Sequence, residues 1–103
     1  MRSEQRLYLM ENSAQLNKIG IAKNPQTRKR QLELASGQKI KIIKCWETIG
    51  VKALEVEQSL HVQYARRRQQ GEWFTHITVG EIEMLSGYDL IECHHDGTLR
   101  RIQ

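Results

Sequence analysis

Long hydrophobic runs are absent from this chain of 103 residues, although 39% of the residues are hydrophobic, which is enough for a folded core. A membrane-spanning helix needs about 20 consecutive, mostly apolar residues, so we expect no insertion into a bilayer. The first residues contain one short apolar stretch, 7–10, which is far shorter than the apolar region of a secretory signal peptide. The sequence therefore predicts a cytoplasmic protein.

Cysteine and proline are also scarce, with two cysteines and one proline in the chain. Cys45 and Cys93 are too few for a disulfide framework, and their separation argues against a paired CxxC metal site. Internal repeats, low-complexity tracts and proline- or glycine-rich linkers are absent as well. The length fits one domain, so we predict a single domain over residues 1–103.

Acidic residues are under-represented in the first two thirds of the chain. Residues 1–70 carry a charge balance of +8, whereas residues 71–103 carry −4 and the whole chain carries +4. A basic segment of this kind is typical of a surface that attracts DNA or RNA. Ordinary soluble domains can be equally basic, so the charge needs a recognisable site to support it.

Two apolar stretches near the start predict a β-hairpin. Strands over 6–10 and 16–21 flank a polar loop at 12–14, and we predict an antiparallel pairing that places Tyr8 opposite Lys18. Because side chains alternate between the faces of a strand, a slip of one residue would destroy the separation of apolar from polar positions. The predicted faces hold Leu7, Leu9, Ile19 and Ile21 on one side, and Tyr8, Lys18 and Gly20 on the other.

Helix signals follow the hairpin. Asn24 can cap a helix and Pro25 suits its first position, so we predict a helix that runs to about Ser36 and stops at Gly37. The later pattern predicts a strand from Ile40 to Cys45 or Trp46, a long helix over Val51–Gln69, a short helix over Val79–Leu85 and a closing hairpin around Asp96-Gly97.

Two charged residues occupy positions that a helical core would not favour. On a helical wheel Glu57 lies about 40° from Ala53 and so faces inward, whereas Glu55 lies about 200° away. Arg28 lies on the stripe of Leu32 in the preceding helix. A buried carboxylate needs a cation, a metal ion or hydrogen bonds. A structural salt bridge between the acid and the arginine is one interpretation, and a functional site is the other.

Five segments, taken in order, resemble the GIY-YIG endonuclease superfamily, in the short phage and bacterial branch that has KIG in place of YIG. The resemblance covers about residues 6–74 and leaves 75–103 as a C-terminal extension packed on the core. The matching segments are Arg6-Leu7-Tyr8, Lys18-Ile19-Gly20, Asn24-Pro25-Gln26-Thr27-Arg28, Glu57-Gln58-Ser59-Leu60-His61 and Gly71-Glu72-Trp73-Phe74.

The resemblance implies an α/β fold with a central three-stranded antiparallel sheet flanked by helices. It also implies a metal-dependent DNA endonuclease that hydrolyses phosphodiester bonds. In that scheme Tyr8 positions or deprotonates the attacking water, and Arg28 neutralises charge that grows on the scissile phosphate. Glu57 holds a single divalent cation, Mg²⁺ or Mn²⁺.

The chain departs from the family pattern at three positions. Lys18 replaces the second tyrosine, and we expect its ammonium to lower the pKa of Tyr8 by proximity. Arg6 replaces the first glycine, which affects the strand edge more than the chemistry. The family often has a later asparagine, but this chain has none after Asn24. Either His61, which we count among the catalytic residues, or Glu72 takes its place, or that function is missing.

DNA is the partner that the resemblance and the basic segment both imply. We predict that Arg66, Arg67 and Arg68, together with Lys23 and Lys29, contact the nucleic acid. The alternatives are a non-catalytic DNA-binding or protein-interaction module on the same fold, and a structural or regulatory protein whose acid and arginine pair in the core. The oligomeric state, including a homodimer, stays open.

Overall fold

The computed structural model describes residues 4–96, which form a mixed α/β domain built on one antiparallel sheet. The three longest strands are the three that the sequence predicts, and they lie side by side in the order β2-β1-β3. Their bounds are Arg6–Asn12 for β1, Leu16–Ala22 for β2 and Ile40–Thr48 for β3.

The prediction of a three-stranded sheet is wrong, because three further strands extend it on both sides. They are β4 (Arg68–Gln70), β5 (Trp73–Thr75) and β6 (Leu90–Glu92), and the full order is β4-β5-β2-β1-β3-β6. Each added strand has three residues, which is too short to show an alternating pattern in the sequence. The described sheet therefore has a predicted centre and unpredicted edges.

The register of the first hairpin differs from the prediction by two residues. Tyr8 pairs with Gly20 and Met10 pairs with Lys18. The side chain of Asn12 accepts hydrogen bonds from the backbone N–H groups of Ala14 and Leu16, both at 3.0 Å, and so places the loop at 13–15 instead of 12–14. Because the shift is even, each side chain keeps its predicted face.

The two faces of the sheet carry separate apolar clusters. One cluster contains Leu7, Leu9 and Ile19, with Ile21 packed against it, as the alternation predicts. The other face holds Tyr8 and Met10 in a cluster with residues of β3. The core therefore lies on both sides of β1, and Tyr8 belongs to the smaller side.

Helix α1 (Pro25–Ser36) begins and ends where the sequence predicts. The side chain of Asn24 accepts a hydrogen bond from the backbone N–H of Thr27, and Gly37 ends the helix with a positive φ of 71°. The helix packs against β1, β2 and β3, on the Tyr8 face. Arg28 is exposed and Leu32 is only half-buried, so Arg28 is not buried on the predicted stripe, although it lies close enough to Tyr8 to affect the pKa of that residue.

Helix α2 (Ala53–Gln63) is shorter than the predicted 51–69 and packs its apolar side on the Leu7 face. A short 3-10 helix, Ala65–Arg67, follows it, and Arg68 starts β4. After the α-helix, Arg67 bonds the Glu81 carboxylate and Arg68 pairs with Phe74. Arg66, Arg67 and Arg68 are therefore not on one helical turn.

Helix α3 (Val79–Leu85) matches its prediction and begins with a reciprocal capping box between Thr78 and Glu81. Ile82 joins the core cluster of the Leu7 face. The closing hairpin predicted around Asp96-Gly97 extends outside the described residues. Among the helices in residues 4–96, none is long and apolar enough to cross a membrane.

Candidate functional site

The side chain of Tyr8 lies across Gly20, its partner in the hairpin. A Cβ atom built on Gly20 would stand 2.3 Å from the Tyr8 hydroxyl oxygen, which is closer than any real contact allows. Only glycine leaves room for the phenol ring on this face of the sheet. The glycine of the Lys18-Ile19-Gly20 segment therefore positions Tyr8.

Burial dominates the acid-base behaviour of Tyr8. The side chain has no exposed surface, and this burial raises the pKa of Tyr8 to about 12, with Glu57 and Glu72 acting in the same direction. Arg28 lies within hydrogen-bonding reach and opposes the rise. The predicted lowering of the Tyr8 pKa by Lys18 is wrong, since the net shift is upward and the opposing cation is Arg28.

Lys18 forms an ion pair that crosses from β2 to the β4–β5 turn. Its Nζ donates a hydrogen bond to Oε2 of Glu72 at 2.9 Å, and the same Nζ lies 5.9 Å from the ring centroid of Trp73. The hydrogen bond from Lys18 holds the pKa of the Glu72 carboxyl below its usual range. Glu72 is therefore a carboxylate at neutral pH, and it is half exposed, with 54% of its side chain accessible.

Glu57 points inward from α2, as the helical wheel predicts. Its side chain is half-buried, whereas Glu55 is exposed. Burial raises the pKa of Glu57, and nearby His61, Lys18 and Arg28 reduce the rise. No ion pair within 4 Å joins Glu57 to a basic side chain in residues 4–96, so the proposed salt bridge between Glu57 and Arg28 does not form there.

His61 lies one helical turn after Glu57 and reaches the edge of β2. Strand β5 pairs with β2 only over Leu16–Lys18, and just past that point Nε2 of His61 lies 2.7 Å from the carbonyl oxygen of Ile19. A carbonyl oxygen can only accept, so Nε2 carries the proton and Nδ1 has the free electron pair when the ring is neutral. The ring also packs 5.3 Å from that of Phe74.

These side chains converge on a three-residue cluster with the donor set of a metal site. Potential ligand atoms of Glu57, His61 and Glu72 all lie within 4.8 Å of one another. Two carboxylates and an imidazole suit a divalent cation, so the chemistry of these residues fits the metal that the resemblance implies.

The five basic residues predicted to bind DNA occupy different surroundings. Arg68 is exposed and close enough to Glu72 to affect its pKa. Arg66 is exposed, while Arg67 donates hydrogen bonds to Glu81 and to the carbonyl oxygen of His76. Lys23 lies 3.7 Å from Glu4, and Lys29 lies 3.8 Å from Glu33. Arg68 is thus the basic residue of this set that interacts with the cluster.

Sequence reasoning missed the contribution of the main chain of β2. The carbonyl of Ile19 fixes the His61 tautomer, and Gly20 makes the space that Tyr8 occupies. A glycine inside a strand pattern is a signal for a close approach by another group, and that signal was present at Gly20. The Ile19 contact leaves no mark in the sequence, because any residue has a carbonyl.

The fold and the cluster define a mixed α/β domain whose carboxylate and imidazole groups lie beside a buried tyrosine and an arginine. The chain belongs to the T5orf172 domain family, whose sequence pattern matches residues 5–87. That domain occurs in phage and bacterial proteins, and membership fits a function related to DNA. Comparisons with curated proteins and with solved structures find no match.

Proposed function

We propose that this protein is a metal-dependent DNA endonuclease of the GIY-YIG type. One observation carries the proposal: side chains from β1, β2, α1, α2 and the β4–β5 turn interact electrostatically around one half-buried carboxylate, Glu57. They are Tyr8, Lys18, Arg28, His61 and Glu72. Shifted pKa values at neighbouring groups that are far apart in sequence, here Tyr8, Glu57 and Glu72, are typical of catalytic centres.

Arg28 supplies positive charge to the substrate. It is exposed and lies next to the buried Tyr8, so its guanidinium can bind two oxygens of a phosphate. A cation held there stabilises the charge that develops when water attacks phosphorus. The Tyr8 hydroxyl has no access to solvent in the free protein, so its contact with the attacking water requires a rearrangement when the substrate binds.

Tyr8 positions the attacking water and does not deprotonate it. A general base works best with a pKa near the reaction pH, and the pKa of Tyr8 is about 12. The phenol therefore keeps its proton at neutral pH and orients the water by hydrogen bonding. Of the two roles that the resemblance implies for Tyr8, positioning and deprotonation of the water, we therefore assign the first.

Glu57 is the residue that we assign to the cation, with Mg²⁺ or Mn²⁺ as the ion. Its half-buried carboxylate has no basic partner within 4 Å in residues 4–96, and the two nearby groups His61 and Glu72 complete a suitable donor set. When bound by Glu57, such an ion would polarise the phosphate and stabilise the leaving oxygen. Lys18 keeps the Glu72 carboxylate charged and close to this position.

The test is a cleavage assay with the purified chain on supercoiled, linear, single-stranded and branched DNA, in Mg²⁺, in Mn²⁺ and in EDTA. We expect cleavage of at least one form in a divalent ion and none in EDTA. Arg28→Ala should abolish cleavage, and Gln31→Ala, an exposed position on the same helix, should preserve it. A folded chain that is inert on every DNA form would favour the non-catalytic DNA-binding alternative.

A further inference from the structure

We propose that Glu57, His61 and Glu72 together bind one first-row transition ion, of the class of Mn²⁺, Co²⁺ and Zn²⁺, in preference to Mg²⁺. The use of this ion for cleavage rests on the proposed function, whereas its binding can be tested separately. In this site His61 and Glu72 are ligands together with Glu57, and the role of His61 is to bind the ion.

The three side chains come close without a large rearrangement of the backbone. Glu57 and His61 are four positions apart on α2, so they project from the same face of the helix. Glu72 comes from the turn after β4, where Gly71 adopts a positive φ of 57°. Two oxygen or nitrogen ligands of one such ion lie at most about 4.4 Å apart, and these three lie within 4.8 Å. Small side-chain rotations therefore close the site.

The hydrogen bond from His61 to Ile19 prepares the imidazole for metal binding. Because Nε2 donates to the Ile19 carbonyl oxygen at 2.7 Å, the free electron pair lies on Nδ1. Imidazole ligands of metal ions generally donate their other N–H to a carbonyl or carboxylate, which fixes the ring and raises its basicity. This contact is the second observation, besides the spacing, that points to a metal.

The imidazole determines which class of ion the cluster prefers. Mg²⁺ favours oxygen ligands in octahedral geometry and keeps much of its water, whereas imidazole suits transition ions. One nitrogen and two carboxylates therefore give a binding advantage to Mn²⁺, Co²⁺ and Zn²⁺. Loss of His61 should therefore reduce the preference for these ions over Mg²⁺ more than it reduces the binding of divalent ions in general.

The ion pair between Lys18 and Glu72 is compatible with this site. Lys18 bonds Oε2 of Glu72, and Oε1 of the same carboxylate remains for an ion. In the free protein the ammonium also offsets repulsion between the two carboxylates, because it acts on both Glu72 and Glu57. Lys18 is thus a positioning residue for Glu72.

The test is calorimetric titration of the full chain with Mn²⁺, Co²⁺ and Mg²⁺, together with the visible absorption of bound Co²⁺. The parent should bind Mn²⁺ and Co²⁺ about tenfold or more tightly than Mg²⁺. His61→Ala and Glu72→Gln should each weaken Mn²⁺ binding about tenfold or more, and His61→Ala should also change the Co²⁺ spectrum. Glu55→Gln, on the exposed side of α2, is the matched control and should bind like the parent.

Equal affinity of the parent for Mn²⁺ and Mg²⁺ would overturn the proposal, as would unchanged Mn²⁺ binding in Glu72→Gln. Glu72 is half exposed, so Glu72→Gln should fold. This variant keeps the test valid if circular dichroism shows that His61→Ala does not fold. Ion binding that depends on Glu72 and His61, in a chain that cleaves no DNA, would support this inference while the endonuclease proposal fails. Cleavage in Mg²⁺ that requires Glu57, without such binding, would support the endonuclease proposal and overturn this inference.

Discussion

At the residue scale, the contact between Tyr8 and Gly20 is the most stringent steric requirement of the site. Gly20→Ala places a methyl group where the Tyr8 ring lies, so the ring must move or the strands must separate. We expect a loss of about 1–3 kcal/mol in the free energy of unfolding and a large loss of cleavage. Urea unfolding measures the first effect. Gly80→Ala is the control, since the nearest atom to its new methyl group is 4.0 Å away, and it should not destabilise the chain.

The high pKa of Tyr8 gives a second residue-scale prediction. Below pH 10.0, the ordinary pKa of tyrosine, the buried phenol contributes its full stability. Between pH 10.0 and about 12 the unfolded chain ionises this residue and the folded chain does not, so stability falls as the pH rises. Titration of tyrosine absorbance should show a last step near pH 12 that Tyr8→Phe removes. A step near pH 12 that survives in Tyr8→Phe would contradict the assignment.

At the scale of elements, helix α1 carries Arg28 to Tyr8, and its first turn depends on Asn24. The Asn24 side chain accepts a hydrogen bond from the backbone N–H of Thr27 at 3.1 Å. Asn24→Ala should lower the free energy of unfolding by about 1 kcal/mol and should weaken cleavage, because Arg28 lies in the next turn. Thermal melting and cleavage rates check both effects. Gln31→Ala should leave both close to parent values, and a fully active Asn24→Ala would argue against this role of the cap.

The elements also show where sequence reasoning succeeds. Helix α1 was predictable at both ends, because Asn24 and Gly37 are local signals that act within a few residues. The faces of the hairpin were predictable from alternation, but its register was not, since hydrogen bonds to the Asn12 side chain set the position of the loop. The end of α2 was not predictable either, because no glycine or proline directly follows Gln63 to mark it. The segment after it pairs with residues further along the chain, Arg67 with Glu81 and Arg68 with Phe74.

The site shows the same division between local and distant information. The inward position of Glu57 follows from helical periodicity alone, and the structure has it half-buried. The ion pair between Lys18 and Glu72 joins positions 54 residues apart, so no local pattern reports it. The family pattern offered His61 or Glu72 as a replacement for the missing asparagine, and in the structure both residues lie near Glu57.

At the scale of the whole molecule, the charge balance of +8 in residues 1–70 predicts salt-sensitive binding to DNA. Phosphate contacts release counterions, so affinity should fall steeply as salt rises. Arg66→Glu combined with Arg68→Glu should weaken binding without lowering the melting temperature much, because both side chains are exposed. Fluorescence anisotropy with labelled duplex DNA measures the effect. Arg67→Glu contrasts with them, since it breaks the bonds to Glu81 and should melt earlier. Salt-independent binding would count against DNA as the partner.

The central claim is that Glu57 serves a catalytic cation and is not a structural partner in the core. The decisive measurement compares cleavage and thermal melting of Glu57→Gln with those of Glu55→Gln and the parent. We predict that Glu57→Gln loses cleavage by orders of magnitude, because charge stabilisation at the phosphate disappears, while its melting temperature and DNA affinity stay near parent values. Glu55→Gln should cleave normally. If Glu57→Gln instead cleaves like the parent, or melts much earlier than Glu55→Gln as a structural role in the core would require, the cation role of Glu57 is contradicted.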